Sequence, residues 1–204
     1  MTIFLLAITI IISLIGFSNE MIQQKLIFNA YQIHHRKEWW RMLSSGFIHA
    51  DFMHLLLNMF VLYSFGQVVE SYYDKVFETS GSFNFIVLYL AAILVANLPS
   101  LIKYKDASYY NSLGASGGVA AILFAAILFD PWSKIYLFGV IGIPGIVLGP
   151  LYLFYEYRSG QKANDHINHD AHFWGALFGI AFTIILNPKI VIHFTNQLIT
   201  NFPL

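Results

Sequence analysis

The chain has no cysteine. That excludes a disulfide framework and a thiol nucleophile. Charge is almost as scarce: Asp, Glu, Lys and Arg make up 11% of the 204 residues, against about 25% in an ordinary soluble domain. The chain is therefore poor in groups that face water. Eleven basic and eleven acidic residues cancel to a net charge of zero. No basic patch is available for nucleic acid. Internal repeats and low-complexity segments are absent too. What the chain has in excess is apolar side chains, 57% of the total.

Those side chains fall into six runs, at residues 1–18, 52–69, 83–102, 113–129, 135–155 and 171–187. About 20 apolar residues cross the hydrocarbon core of a bilayer. The first run lacks a basic leading region, and Phe17-Ser18-Asn19 is a poor cleavage site, so a retained helix is expected there. The runs are continuous and lack the alternation of a membrane β-barrel. The reading is an all-α membrane protein, a six-transmembrane-helix bundle. The fifth run holds Gly139, Gly142, Pro144, Gly145, Gly149 and Pro150, which predicts a kinked and loosely packed helix. Residues 19–48 form a long first loop with Trp39, Trp40 and Arg41, suited to the membrane–water interface. The loop 156–170 is polar and is expected to be mobile. No Asp or Glu lies inside any run, which argues against a proton relay or a cation-coupled transporter.

Polar residues inside membrane spans tend to mark function. His49, His54 and Asn58 open the second run, Ser116 the fourth, and His172 the sixth. His54 and Asn58 are four apart and share a helix face. Gly175 and Gly179 follow His172 as a stripe that lets a neighbouring helix come close. Each has a plain structural alternative: Ser116 as a small packing residue, Asn58 as interhelical glue, a histidine as a satisfied donor. A zinc-protease helix needs His-Glu-x-x-His, which is absent. A serine nucleophile needs a base and donors for an oxyanion, and this set supplies both. The residues sit at the starts of the even-numbered runs, which run parallel in a six-span chain.

The motifs carrying these residues are Gly114-Ala115-Ser116-Gly117, His54-x-x-x-Asn58 and Ala171-His172-x-x-Gly175-x-x-x-Gly179. Together with Trp40-Arg41 and Gly66-x-x-x-Glu70, they make the chain resemble the rhomboid family of intramembrane serine proteases over residues 1–187, leaving 188–204 as a short C-terminal tail. The resemblance implies that Ser116 is the nucleophile and His172 its general base, a dyad without a third carboxylate. It implies an oxyanion hole from the Ser116 N–H, His49 and Asn58, with His54 supporting the region and Gly114 clearing space. It implies a gate built from the fifth run and the loop 156–170. One position departs from the pattern: where the family often stacks an aromatic on the base, this chain has Ala120. The partners implied are transmembrane-segment substrates and the lipid bilayer, with no cofactor, metal or nucleic acid. The expected setting is a bacterial inner membrane, with the site facing outward. The basic residues argue against that orientation. Lys25, Arg36, Lys37, Arg41, Lys103, Lys105, Arg158 and Lys162 would lie outside, against Lys75, Lys134 and Lys189 inside, the reverse of the positive-inside rule. The alternatives are a rhomboid-like protein that binds membrane clients without cutting them, and a small channel or transporter.

Overall fold

The computed structural model describes residues 1–137, 139–162 and 167–202. Its helices in chain order are α1 (Thr2–Ser18), α2 (Glu20–Leu26), α3 (Ala30–Arg36), α4 (Arg41–Ser44), α5 (Phe52–Phe77), α6 (Gly81–Tyr104), α7 (Ser116–Phe129), α8 (Gly145–Gly160), α9 (His169–Leu186) and α10 (Lys189–Thr200). Two short 3-10 turns, Ser45–Phe47 and Glu78–Ser80, and two small antiparallel pairs complete the described elements: β1 (Phe28–Asn29) with β2 (Asn111–Ser112), and β3 (Lys134–Leu137) with β4 (Ile141–Pro144). Of the described residues, 77% are helical.

Among the described residues, two helical stretches are long and apolar enough to cross a membrane. They are Phe52–Tyr104, which joins α5 to α6 through a tight turn, and His169–Leu186. The helices Thr2–Ser18 and Ser116–Phe129 are apolar but shorter. The expected six full-length spans are therefore only partly present as such.

Helix α7 is the axis of the molecule. Val119 through Ile122 and Phe124 through Phe129 are all buried, as befits a helix that is hydrophobic on every side. Against it pack α5, α6, α8, α9 and α10. The contact with α9 is made by backbone. A Cβ on Gly175 would lie 2.9 Å from the α-carbon of Gly117 and closer still to its carbonyl oxygen. One on Gly179 would lie 2.6 Å from the α-carbon of Ala121, again with the carbonyl oxygen closer. Both partners advance by four residues, so α7 and α9 run parallel. His54 meets Gly114, and Tyr72 stacks on Phe129 at 4.5 Å, so α5 runs parallel to them as well. The starts of all three helices share one end.

The reading of the fifth run needs correction. Residues 135–155 do not form one kinked helix. Their first half is the β3–β4 hairpin, turning at Gly139 with φ of 72°. Ile135 and Tyr136 on one strand, and Ile141 and Ile143 on the other, are types that favour strands, and Pro144 then fixes the backbone just before α8 begins. The residues after 187 carry a helix. α10 buries Ile190, and His193 donates from Nε2 to the Phe129 carbonyl at 2.8 Å.

The first loop is folded. Phe28, Ala30, Ile33 and Met42 make a core of their own against Leu101, Tyr104 and Tyr110. Arg41 is buried and donates from Nη1 to the carbonyls of Gln24 (2.7 Å) and Ile27 (2.9 Å), and from Nε to Glu38 (2.5 Å). It holds α2 and α4 together.

The glycine stripe of α9 yields a test. Gly175→Ala and Gly179→Ala each force a methyl into a neighbour's backbone, which cannot turn aside. Each is expected to destabilise the protein by about 1–3 kcal/mol, read as a lower unfolding temperature in detergent. Ile185→Ala, at an exposed position of the same helix, serves as the comparison and is expected to lose less.

Candidate active site

The common end of α5, α7 and α9 gathers most of the polar residues singled out in the sequence. Ser116 is the first residue of α7 and is half-buried. No side chain caps that helix, so the leading N–H groups remain available and the end carries partial positive charge. Just before it, Gly114 adopts φ of 123°, a conformation open to glycine. The Gly114 N–H donates to the Ser45 carbonyl at 2.9 Å, and the His54 ring lies against its α-carbon, where a Cβ would come within 2.7 Å of Cε1.

His49 is fully buried outside the helices, in the segment leading into α5. Its Nε2 accepts the Ala115 N–H at 3.3 Å, and its Nδ1 meets Ser13 Oγ at 2.9 Å. Ser13 Oγ in turn donates to the Phe47 carbonyl. Both ring nitrogens are thus engaged, and Nε2 is an acceptor. In this geometry His49 braces α1 against the Gly114 turn and has no spare N–H for an oxyanion. Burial, chiefly, and the nearby His54 ring push its pKa down to about 3, against a smaller opposing pull from Asp51. Asn58 is buried and donates from Nδ2 to the His54 carbonyl one turn back at 3.0 Å. Its second amide hydrogen is not used by that bond.

A small cavity opens beside the serine, lined by Ser45, Asn97, Ser112, Gly114, Ser116, Gly117, Asn168 and Ala171, among others. Asn168 caps α9 by accepting the Ala171 N–H at 3.1 Å. Its amide nitrogen reaches Ser100 and Ser112, both at 3.1 Å. It ties the start of α9 to α6 and to the segment preceding α7.

His172 lies near the start of α9 with 18% of its side chain exposed. Two residues that the sequence reading passed over hold it. Tyr152 of α8 stacks on the ring, centroids 6.5 Å apart and planes 19° off parallel. This aromatic comes from a different helix than the family pattern, which has only Ala120 to offer here. Glu156, one turn further along α8, places Oε1 3.1 Å from His172 Nδ1 and Oε2 2.6 Å from His169 Nδ1. Both Glu156 and His169 are buried. The expected dyad without a carboxylate therefore has a carboxylate on its histidine. The polar loop assigned to 156–170 is helical as far as Gly160, and its residues 163–166 lie outside the described residues. The missed signal was spacing: Tyr152 and Glu156 are four apart, and His169 and His172 three, so each pair shares a helix face.

A serine at an open helix start, beside a parallel helix bearing a histidine at the same end, is the geometry of the resemblance; the carboxylate on that histidine departs from it. The rhomboid domain family model matches residues 36–189. This chain belongs to the rhomboid family. It is 29% identical to the chloroplastic Rhomboid-like protein 11 of Arabidopsis thaliana, across 83% of this chain and 60% of that protein. It is 32% identical to Rhomboid protease GluP of Bacillus subtilis, across 70% of this chain and 25% of that one. It is 29% identical to the human mitochondrial Presenilin-associated rhomboid-like protein, across 68% and 36%. The chain thus spans between a quarter and three fifths of the length of these relatives. Family membership makes it an integral membrane protein. The expected bacterial inner membrane gains no support from relatives named for chloroplasts and mitochondria.

The His49 environment sets a pH dependence. The folded protein leaves His49 neutral down to about pH 3, whereas an unfolded chain protonates it near 6.5. This contribution to stability is full above about pH 6.5 and is lost as pH falls from there toward 3. The unfolding temperature is expected to drop across that range, and to drop less in His49→Gln. Equal slopes in the two proteins would show that His49 protonation does not drive the loss.

Proposed function

We propose that this protein is an intramembrane serine endopeptidase that cleaves transmembrane or membrane-edge segments of other proteins. The observation that carries this reading is the placement of Ser116 and His172 at one end of two parallel helices locked backbone to backbone. Ser116 Oγ attacks the scissile carbonyl as His172 Nε2 takes its proton. The resulting oxyanion is met by the N–H groups at the start of α7, with the spare Asn58 amide hydrogen as the candidate side-chain donor. Collapse of that intermediate breaks the C–N bond, and His172 delivers the proton to the leaving amine. Water then attacks the acyl-serine, again with His172 as base.

The length of α7 supports a site reached from the aqueous side. Its 14 residues span roughly 21 Å, less than the ~30 Å hydrocarbon core. A recess at its start admits water without exposing the rest of the helix. The hairpin-led α8, which lies over His172 and carries Pro150 within it, is the element suited to part from the bundle and let a substrate segment approach.

Ser116→Ala and His172→Ala are expected to abolish cleavage of single-span test substrates in detergent while the proteins stay folded. A fluorophosphonate probe is expected to label the wild type and not Ser116→Ala. A folded, unlabelled wild type that still retains membrane clients would favour the client-binding alternative. Substrate flux through liposomes would favour a channel. For orientation, we place the Ser116 end on the non-cytoplasmic side. Gln161→Cys and Ser80→Cys put single thiols on exposed positions at opposite ends of a chain that has no cysteine of its own. In intact cells a membrane-impermeant maleimide is expected to label the first and not the second. The reverse pattern would turn the site to the cytoplasm.

A further inference from the structure

We propose that Glu156 is a positioning residue for the base: it fixes the tautomer and orientation of His172, and His169 anchors it there. The inference rests on the assignment of His172 as base. The geometry is specific. One carboxylate oxygen takes one imidazole each, Oε1 with His172 Nδ1 at 3.1 Å and Oε2 with His169 Nδ1 at 2.6 Å. A buried carboxylate shared in this way cannot rotate toward either ring without losing the other. It accepts an Nδ1–H from His172, so the proton of the neutral ring resides on Nδ1 and Nε2 is left as the proton acceptor. That is the tautomer a general base requires. When His172 becomes imidazolium, the same carboxylate neutralises it. Tyr152, a turn earlier on α8, fixes the ring plane by stacking. α8 therefore supplies both restraints.

The same three side chains place their donor atoms within 4.8 Å of one another, close enough to hold a metal ion. The observations favour the hydrogen-bonded arrangement, because each Nδ1 already has its own carboxylate oxygen.

Several groups face His172 or lie close to it. They are Glu156 and Tyr152 from α8, His54 from α5, and His169 on its own helix. Further out, Lys103 of α6 meets Asp170 at 4.0 Å. Glu156 is the one carboxylate bonded to the ring among the described residues.

The test compares wild type with Glu156→Gln. The amide has one acceptor oxygen and one NH₂, so it cannot accept from both histidines. It disrupts the tautomer at about constant volume. The expected result is a fall in kcat on the order of 10²–10⁴-fold. The acid limb of kcat/KM should also move to lower pH, because the imidazolium has lost its counter-charge. An unchanged kcat and acid limb would overturn the proposal. So would a loss of activity that tracks only a loss of thermal stability, with the acid limb unmoved. Activity abolished by a chelator and restored by Zn²⁺ would assign the cluster to a metal instead. Should Glu156→Gln not fold, nitrogen-15 histidine spectra of the wild type decide, with His172→Asn identifying the signal. Nδ1–H on neutral His172 supports the proposal and Nε2–H overturns it. A folded wild type that neither cleaves substrate nor takes the fluorophosphonate probe would fail the protease reading itself, a result distinct from any of these.

Discussion

Everything at the site depends on two helices touching without side chains between them. Where Gly175 meets Gly117 and Gly179 meets Ala121, α9 lies against the backbone of α7. This contact fixes the register of the two helices, and register decides which residues stand level. Ser116 precedes Gly117 by one position and His172 precedes Gly175 by three, so the serine and the histidine come to the same end together. A bulkier contact would leave each residue on its own helix but not opposite the other. Small residues in membrane helices are usually discussed as aids to association. Here they also set the geometry on which a reaction would run.

Around that contact, the polar residues divide into those that brace and those with capacity to spare. His49 uses both ring nitrogens to tie α1 to the Gly114 turn, and Arg41 spends its guanidinium on carbonyls within the first loop. Arg41 therefore belongs to the folded interior, which removes one basic residue from any tally of charges free to set orientation. Among the described residues, Ser116, Asn58, the His54 ring and Nε2 of His172 are groups left with capacity. A membrane protein has few polar groups, and the bracing residues account for most of those at this end.

The helices flanking the motifs were legible from composition and run length, and Ser116 and His172 from their motifs. What was not legible follows from physics. Residues 135–155 have the hydropathy of a span, but Gly139 and Pro144 break it into a hairpin and a helix, and hydropathy carries no information about that. Glu156 read as the first residue of a polar loop because it follows the apolar run. Only the turn of α8 shows that it faces inward, where two imidazoles offset the penalty of burying a carboxylate. Ala120 marked the lack of an aromatic support, but nothing in the sequence pointed to Tyr152 as the replacement, since it comes from a helix some thirty residues away. The roles of His49 depended on knowing which atoms its ring nitrogens meet, and motif spacing cannot supply that.

The two ends of α7 are unlike. Its start opens on a polar cavity beside Ser116. Its far end is closed: the Phe129 carbonyl is held by His193 of α10, and the Phe129 ring lies between Tyr72 and Tyr73. Between them run Val119 to Phe129 with no polar side chain. Among the described residues, α7 therefore offers no polar side chain to lead water from the serine toward its far end. If the proposed hydrolysis runs at Ser116, a chain built this way can admit water to it without short-circuiting the ion gradients that the membrane maintains.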